Sequence, residues 1–229
     1  MKNKNNNNQM GALVAVTENK NTLIDLAKEY EQLMLVYENG AKLIETKFQM
    51  LSNEFKAMGD RNPIESIKSR IKSPKSLYAK MKKKGLSVTA QNMRDNIFDI
   101  AGVRVICSYI SDIYTLRDML LCHKDIHLLY EKDYIKNPKP NGYRSLHLIV
   151  ECLMPTASGE YPVCVEIQFR TIAMDFWASL EHEIRYKSKD EIPQDLCQDL
   201  CECAEIISLT DRRMERIHRQ VENTHENLR

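Results

Sequence analysis

The sequence predicts an α/β protein: a mixed β-sheet flanked by N- and C-terminal helices. Two patterns carry that prediction. Apolar residues recur at spacings of three and four near both ends of the chain, and in the middle the spacing drops to two. The 229 residues, 43% hydrophobic and 28% charged, suit one domain with appendages and exclude a disordered or fibrous chain.

Residues 1–21 open with KNKNNNNQ, a polar low-complexity stretch expected to be a disordered tail, and the LVAV that follows is too short for a signal sequence or a membrane span. Residues 22–62 read as a helical segment. Leu23, Leu26, Tyr30, Leu33 and Tyr37 share one face, Asn39-Gly40 reads as a stop, and Phe48, Leu51, Phe55 and Met58 resume the pattern before Gly59 and Pro63 end it. Residues 63–190 form the α/β domain. Strands are expected where Val103, Val105 and Cys107, then Leu146, Leu148 and Val150, then Val165, Ile167 and Phe169 alternate with other residues. Ile113 to Leu121 and Ile172 to Tyr186 read as helices. In residues 191–229 the seam Leu196, Leu200, Cys203, Ile207, Thr210, Met214, Ile217 and Val221 alternates fours and threes, with Asp211, Arg212, Arg213 and Glu215 as charged flanks. Such a seam packs on its own domain or on another subunit, and the sequence leaves both open.

The formal net charge is +1, so the whole-molecule field gives no reason to expect nucleic acid or an anionic membrane. Any anion site must be local. Seven cysteines without a signal sequence suggest reduced thiols in the cytoplasm. Cys197, Cys201 and Cys203 do not match zinc-ligand spacing and read as packing residues.

In VCVEIQFR, Glu166, Gln168 and Arg170 project to one side of a strand. Alone this is the ordinary solvated face of a sheet. NPKPNGYRSLHLIVE changes the weighting, because Tyr143, Ser145 and His147 share one face by the same parity. An aromatic ring, a carboxylate and cationic donors above one sheet suit a nucleotide, with NPKPNG as a lid. From Lys68 to Lys84 there are eight basic residues and no acidic one. Ser76, Lys80 and Lys83 fall on one face of a helix opened by Pro74 after Ser73, which suits phosphates, the alternatives being a solvated helix or a weak RNA-binding patch. In DIAGVRV, Asp99 and Arg104 are five apart, so a bulge at Gly102, or a strand beginning after it, is needed to bring both to one cleft. Asp99 and Glu166 would then offer hard oxygen ligands to Mg²⁺. The seven glycines make neither a P-loop nor a Rossmann phosphate loop.

Taken together, RIKSPKSLYAKMKKKG, DIAGVRVICSY, DYIKNPKPNGYRSLHLIV and VEIQFRTIAMDFWASLEHEIRYK resemble the RelA/SpoT-type (p)ppGpp synthetases, over about Pro63 to Lys187 and in that family's order. The short flanking helices are similar to those of the small alarmone synthetases, and NPIE and DFWASLEHEIRYK lean toward the RelP rather than the RelQ branch. The resemblance implies a nucleotidyltransferase-like fold and a cytoplasmic, Mg²⁺-dependent GTP pyrophosphokinase of the stringent response, assembled as a tetramer through its terminal helices. It implies that Arg70, Lys72, Ser76, Lys80, Lys83 and Arg104 bind ATP, with Arg104 on the adenine. Asp99 and Glu166 would hold the metal, Glu166 also taking the 3′-OH proton. Tyr143 would stack on guanine, with Lys139, His147, Gln168, Asp175 and Glu181 around the acceptor GDP or GTP. Regulation by RNA or by the alarmone itself is a further implied partnership. Lys83 stands where related synthetases often carry arginine, and lysine lacks the planar face that stacks on a base. The rival readings are a nucleotidyltransferase of related fold and an RNA-binding regulator.

Overall fold

The computed structural model describes residues 4–157, 159–187 and 193–226. Five strands make one mixed sheet: β1 (Ile64–Ile71), β2 (Ala101–Cys107), β3 (Ile126–Asp133), β4 (Leu146–Thr156) and β5 (Gly159–Thr171), in the order β1-β2-β5-β4-β3. Neighbours are antiparallel except β2 and β5, which pair in parallel with Gly102 opposite Glu166 and Arg104 opposite Gln168. A parallel pair needs a crossover. The chain makes it through α4 (Ile110–Leu121), β3 and β4.

Alternation sorts the two faces as expected. Val103, Val105, Leu146, Leu148, Val165, Ile167 and Phe169 are buried on one face, under α1 (Lys4–Met58), whose Ile44 and Phe48 are fully enclosed. The Phe48 ring meets Phe169 edge-on at 5.5 Å. Arg104, His147, Glu166 and Gln168 occupy the opposite face.

The backbone of α1 is helical from Lys4 and continues through Asn39-Gly40. The stretch expected as a tail therefore lies on its first turns, and the expected stop is absent. Gly40 serves close packing instead: a Cβ there would stand 2.8 Å from Val163 Cγ1 on β5. The side chains of Leu23 and Leu26, and the expected boundary at residue 190, lie outside the described residues.

Two edge strands, β1 and β3, escape the two-residue pattern because few of their side chains are buried. The short helix α3 (Ala90–Asn96), capped by Thr89, shows no apolar period either. Between them α2 (Pro74–Lys83) starts where expected, with Ser73 Oγ accepting from the Ser76 N–H.

Two further helices, α5 (Ile172–Lys187) and α6 (Gln194–Glu226), pack on each other beside the C-terminal end of β5. The face of α6 turned inward carries Ala204, Ser208, Asp211 and Glu215, all buried, and not the whole apolar seam. Leu196, Met214, Ile217 and Val221 are exposed. Asp211 and Glu215, expected as charged flanks, go inside because the protein supplies donors: Thr171 Oγ1 gives its proton to Asp211 at 2.7 Å, and the Ser111 N–H at the start of α4 gives to Glu215 at 3.3 Å. None of the seven cysteines is in a disulfide. Cys203 is exposed, and among the described residues no three metal-ligating side chains cluster.

Candidate active site

Asp99 sits in the turn before β2. The strand begins at Ala101 and runs through Gly102 without a bulge; the turn, not the glycine, brings Asp99 to the cleft. Lys72 is fixed beside it by a backbone hydrogen bond from its N–H to the Ile100 carbonyl. Lys72 Nζ (3.0 Å) and Lys80 Nζ (2.5 Å, from α2) both donate to Asp99 Oδ2. Burial alone would raise this carboxyl, but the two lysines hold it below the ordinary aspartate value. Its other oxygen, Oδ1, is buried without a hydrogen-bond partner. A hard cation suits such an oxygen, so the residues fit Mg²⁺.

Glu166 lines the same cavity of about 210 Å³, together with Lys84, Lys132, Lys139, Tyr134 and His147. His147 Nδ1 lies 3.2 Å from Glu166 Oε1, and Gln168 Nε2 donates to Oε2 at 2.8 Å. Burial would raise this carboxyl as well, but the hydrogen bonds from His147 and Gln168 hold it below the ordinary glutamate value. Each of its oxygens keeps a lone pair for a further partner.

The proton positions follow from chemistry. Arg170 can only donate, so at 2.9 Å the Tyr143 hydroxyl oxygen accepts from its NH2. The phenol's own proton is then free for His147 Nε2, 2.8 Å away, which leaves the imidazole proton on Nδ1, facing Glu166. Tyr143 and the carboxylate are thus joined through one histidine. Lys139 Nζ stands over the rings of Tyr134 and Tyr143 at 4.6 and 4.7 Å, and the Arg170 guanidinium lies 5.2 Å from the Tyr143 ring.

A second cavity of about 400 Å³ adjoins Tyr143 and is lined by Arg70, Arg104, Gln168, Arg170, Glu181 and His182, among others. Asp175 Oδ1 receives Arg170 NH1 at 2.8 Å and Arg104 NH1 at 3.3 Å. Arg104 Nε has no partner, and burial followed by repulsion from Arg170 lowers the guanidinium's hold on its proton. Arg70 and Arg104 also line a cavity of about 310 Å³ with Gly102 between them, room for a flat group. Glu181 accepts from Asn141 Nδ2 at 3.1 Å and from Arg185.

The structure thus brings Asp99, Lys72, Lys80, Lys139, His147 and Glu166 together, and Arg70, Arg104, Tyr143, Gln168, Asp175 and Glu181 beside them. Ser76 and Lys83 lie on the exposed side of α2; it is Lys84, the C-cap of that helix, that lines the cavity with Asp99. Ser145 does not share the cleft with Tyr143 and His147: it is buried and donates to the Phe169 carbonyl at 2.8 Å, because regular alternation begins only at Leu146. The sequence puts Arg170 on the cleft face as a cationic donor without a named ligand, and gives no role of their own to Lys84, Tyr134 or Lys132. Arg170 was legible, since it shares the parity of Glu166 and Gln168. Tyr134 and Lys132 belong to or adjoin an edge strand that the pattern did not mark. Nor is the NPKPNG loop a free lid in this state: Asn141 bonds to α5, and Pro140, Gly142 and Arg144 touch α6.

Residues 69–191 match the region found in RelA and SpoT proteins. The chain belongs to the RelA/SpoT family. Over 195 residues it is 46% identical to the GTP pyrophosphokinase YwaC of Bacillus subtilis, covering 85% of this chain and 93% of that one. The GTP pyrophosphokinase YjbM of the same organism is 33% identical over 85% of this chain and 91% of its own length. Among solved structures, small alarmone synthetase 1 of B. subtilis bound to its product pppGpp superposes with a TM-score of 0.78 at 34% identity, covering 85% of this chain and 98% of that one. Small alarmone synthetase 2 of B. subtilis gives 0.76 at 45% identity, over 83% and 98%. These matches extend beyond the family region.

Proposed function

We propose that the protein is a GTP pyrophosphokinase, transferring the β,γ-pyrophosphate of ATP to the ribose 3′-OH of GDP or GTP, with (p)ppGpp and AMP as products. Membership of the RelA/SpoT family and similarity to GTP pyrophosphokinases over most of their length support this reading. The observation that carries it to the site is the pairing of Glu166 and Asp99 on one cavity, the first held ionised by His147 and Gln168, the second by Lys72 and Lys80.

In the reaction a bond forms between the acceptor 3′-oxygen and Pβ while the bond from Pβ to the oxygen bridging it to Pα breaks; that oxygen leaves with AMP. Glu166 takes the 3′-OH proton. Lys72 and Lys80, released from Asp99 when phosphates arrive, stabilise the charge spreading over the transferring group, and positioning accounts for much of the remaining rate. Asp99 and Glu166 would hold Mg²⁺, which when bound would neutralise part of that charge. The side chains of Arg70 on β1 and Arg104 on β2 enclose the adenine, with Ser76 and Lys83 at the ATP-binding helix. Tyr143 stacks on the guanine, its ring fixed by Arg170, and Lys139, His147, Gln168, Asp175 and Glu181 surround the acceptor. The same reading puts the protein nearer the RelP branch, in the cytoplasm, and in a tetramer formed through its terminal helices. No helix among the described residues is long and apolar enough to cross a membrane.

Separating the products of β- and γ-labelled ATP incubated with Mg²⁺ and GDP or GTP tests the proposal. AMP and a guanosine nucleotide bearing both labels are expected. Free pyrophosphate with the adenylyl group transferred would indicate a nucleotidyltransferase. Intact ATP with salt-sensitive RNA binding would favour the regulator.

A further inference from the structure

We propose that Ala204, on α6, is a positioning residue for the acceptor nucleotide, seating the loop that presents Tyr143. The proposal deepens the reading of Tyr143 as the guanine platform and rests on it. Gly142, immediately before Tyr143, has φ +83°, and a Cβ on it would stand 2.5 Å from Ala204 Cβ and 3.6 Å from Cys201 Cα. The loop backbone therefore lies directly on the helix. Arg144 NH1 fastens it there, donating to the carbonyls of Gly142 (3.2 Å) and Ala204 (3.3 Å). The Tyr143 ring packs against a small core of its own, built around Trp177, Ala178 and Ala204 and separate from the core beneath the sheet.

The fit leaves no slack. The void between Gly142, Arg144 and α6 measures about 10 Å³, too little for two extra methyl groups. The helix is also the stiffer partner. Trp177 Nε1 donates to the Leu200 carbonyl at 2.9 Å one turn before Ala204, and Thr171 Oγ1 to Asp211 at 2.7 Å about two turns after it. The loop is held by few backbone bonds, Gly142 N–H to Lys139 O and Lys139 N–H to Tyr143 O among them. A larger side chain at 204 thus displaces the loop, and Tyr143 moves with it. Arg70, Lys72 and Lys80, assigned to ATP, are carried by β1, α2 and the link between them, not by this loop.

The test is calorimetric binding of GDP, and separately of a non-hydrolysable ATP analogue, to the full chain with Mg²⁺, for the wild type, Ala204→Val, Ala204→Ser and Tyr143→Ala, with thermal melts of each. For Ala204→Val the dissociation constant for GDP rises about tenfold, the equivalent of about 1.4 kcal/mol, while that for the ATP analogue changes by less than about twofold; Ala204→Ser, nearly isosteric, keeps both. If Tyr143→Ala weakens GDP but Ala204→Val does not, the platform stands and the buttress is wrong. If Tyr143→Ala leaves GDP binding intact, the platform reading fails and this proposal falls with it. Equal loss of both nucleotides in Ala204→Val, with a lowered melting temperature, would mark Ala204 as merely structural and overturn the proposal. Should Ala204→Val fail to fold, Arg144→Lys, which removes the forked donation but keeps the charge, must show the same selective loss of GDP; its absence is equally fatal.

Discussion

Glu166 shows how one residue's environment sets its task. It is enclosed enough for burial to raise its pKa, yet His147 and Gln168 donate to its two oxygens and keep it ionised. A carboxylate held this way is a weak base, adequate for the proposed role only if cationic neighbours help the attacking hydroxyl lose its proton. Replacing it by the isosteric amide in Glu166→Gln lowers turnover by about 10²- to 10⁴-fold, the usual worth of a general base. The melting temperature stays near that of the wild type, since burying a charge is itself costly. Steady-state rates beside a thermal melt check both. Tyr143→Ala is expected to raise the KM for the acceptor about tenfold or more, with the KM for ATP little changed, since an aromatic–base stack is worth about 1–3 kcal/mol; equal change in both would end that division of labour.

At the scale of elements, close packing and buried carboxylates decide more than propensity. Alanine is favoured over glycine inside a helix by about 1 kcal/mol, yet Gly40→Ala is expected to destabilise the fold by about 1–3 kcal/mol through overpacking against Val163. Denaturant unfolding reads the sign directly. Asp211 gives a pH signature. Burial first, then the nearby Glu215, raises its carboxyl above the ordinary aspartate value despite Thr171 and Arg212. Between the ordinary and the raised value the folded chain holds a proton that the unfolded chain has lost, so this group's contribution to stability falls as pH rises through that window. Above it the full cost is present. Asp211→Asn, which can still accept from Thr171, flattens that slope when melting temperature is followed against pH.

These elements also mark where the sequence was legible. The three central strands, α1 and α4 declare themselves because a buried face imposes a period, whereas α2 is marked by its Ser73-Pro74 start, and α5 and α6 by apolar stripes that stay largely exposed. Edge strands β1 and β3 do not, since few of their side chains are buried. At the site, Glu166, Gln168 and Arg170 follow from strand parity, and Asp99 from its place before β2. Ser145 was misjudged because parity fails before a strand becomes regular, and the inward turn of Asp211 and Glu215 depends on partners in Thr171 and Ser111, far off in sequence.

Over the whole molecule, the core lies under one face of the sheet and the candidate chemistry over the other, with α6 bolted across the edge where both meet. The apolar residues that α6 leaves outward, Met214 and Ile217, and those of α5, Ile172 and Phe176, border or lie near a groove of about 620 Å³. Exposed apolar surface of this kind suits contact between subunits. If the proposed assembly uses this surface, Met214→Glu combined with Ile217→Glu is expected to yield smaller species by light scattering, with the sheet's far-ultraviolet dichroism preserved; an unchanged mass would remove these residues from the proposed interface.

The most direct test of the account is a single-turnover experiment in which γ-labelled ATP and excess enzyme meet GDP, comparing wild type with Glu166→Gln and measuring nucleotide binding to each. The account predicts label moving to the guanosine nucleotide in the wild type, and in Glu166→Gln both nucleotides bound but the transfer slowed by about 10² or more. Transfer at the wild-type rate by the variant would contradict it.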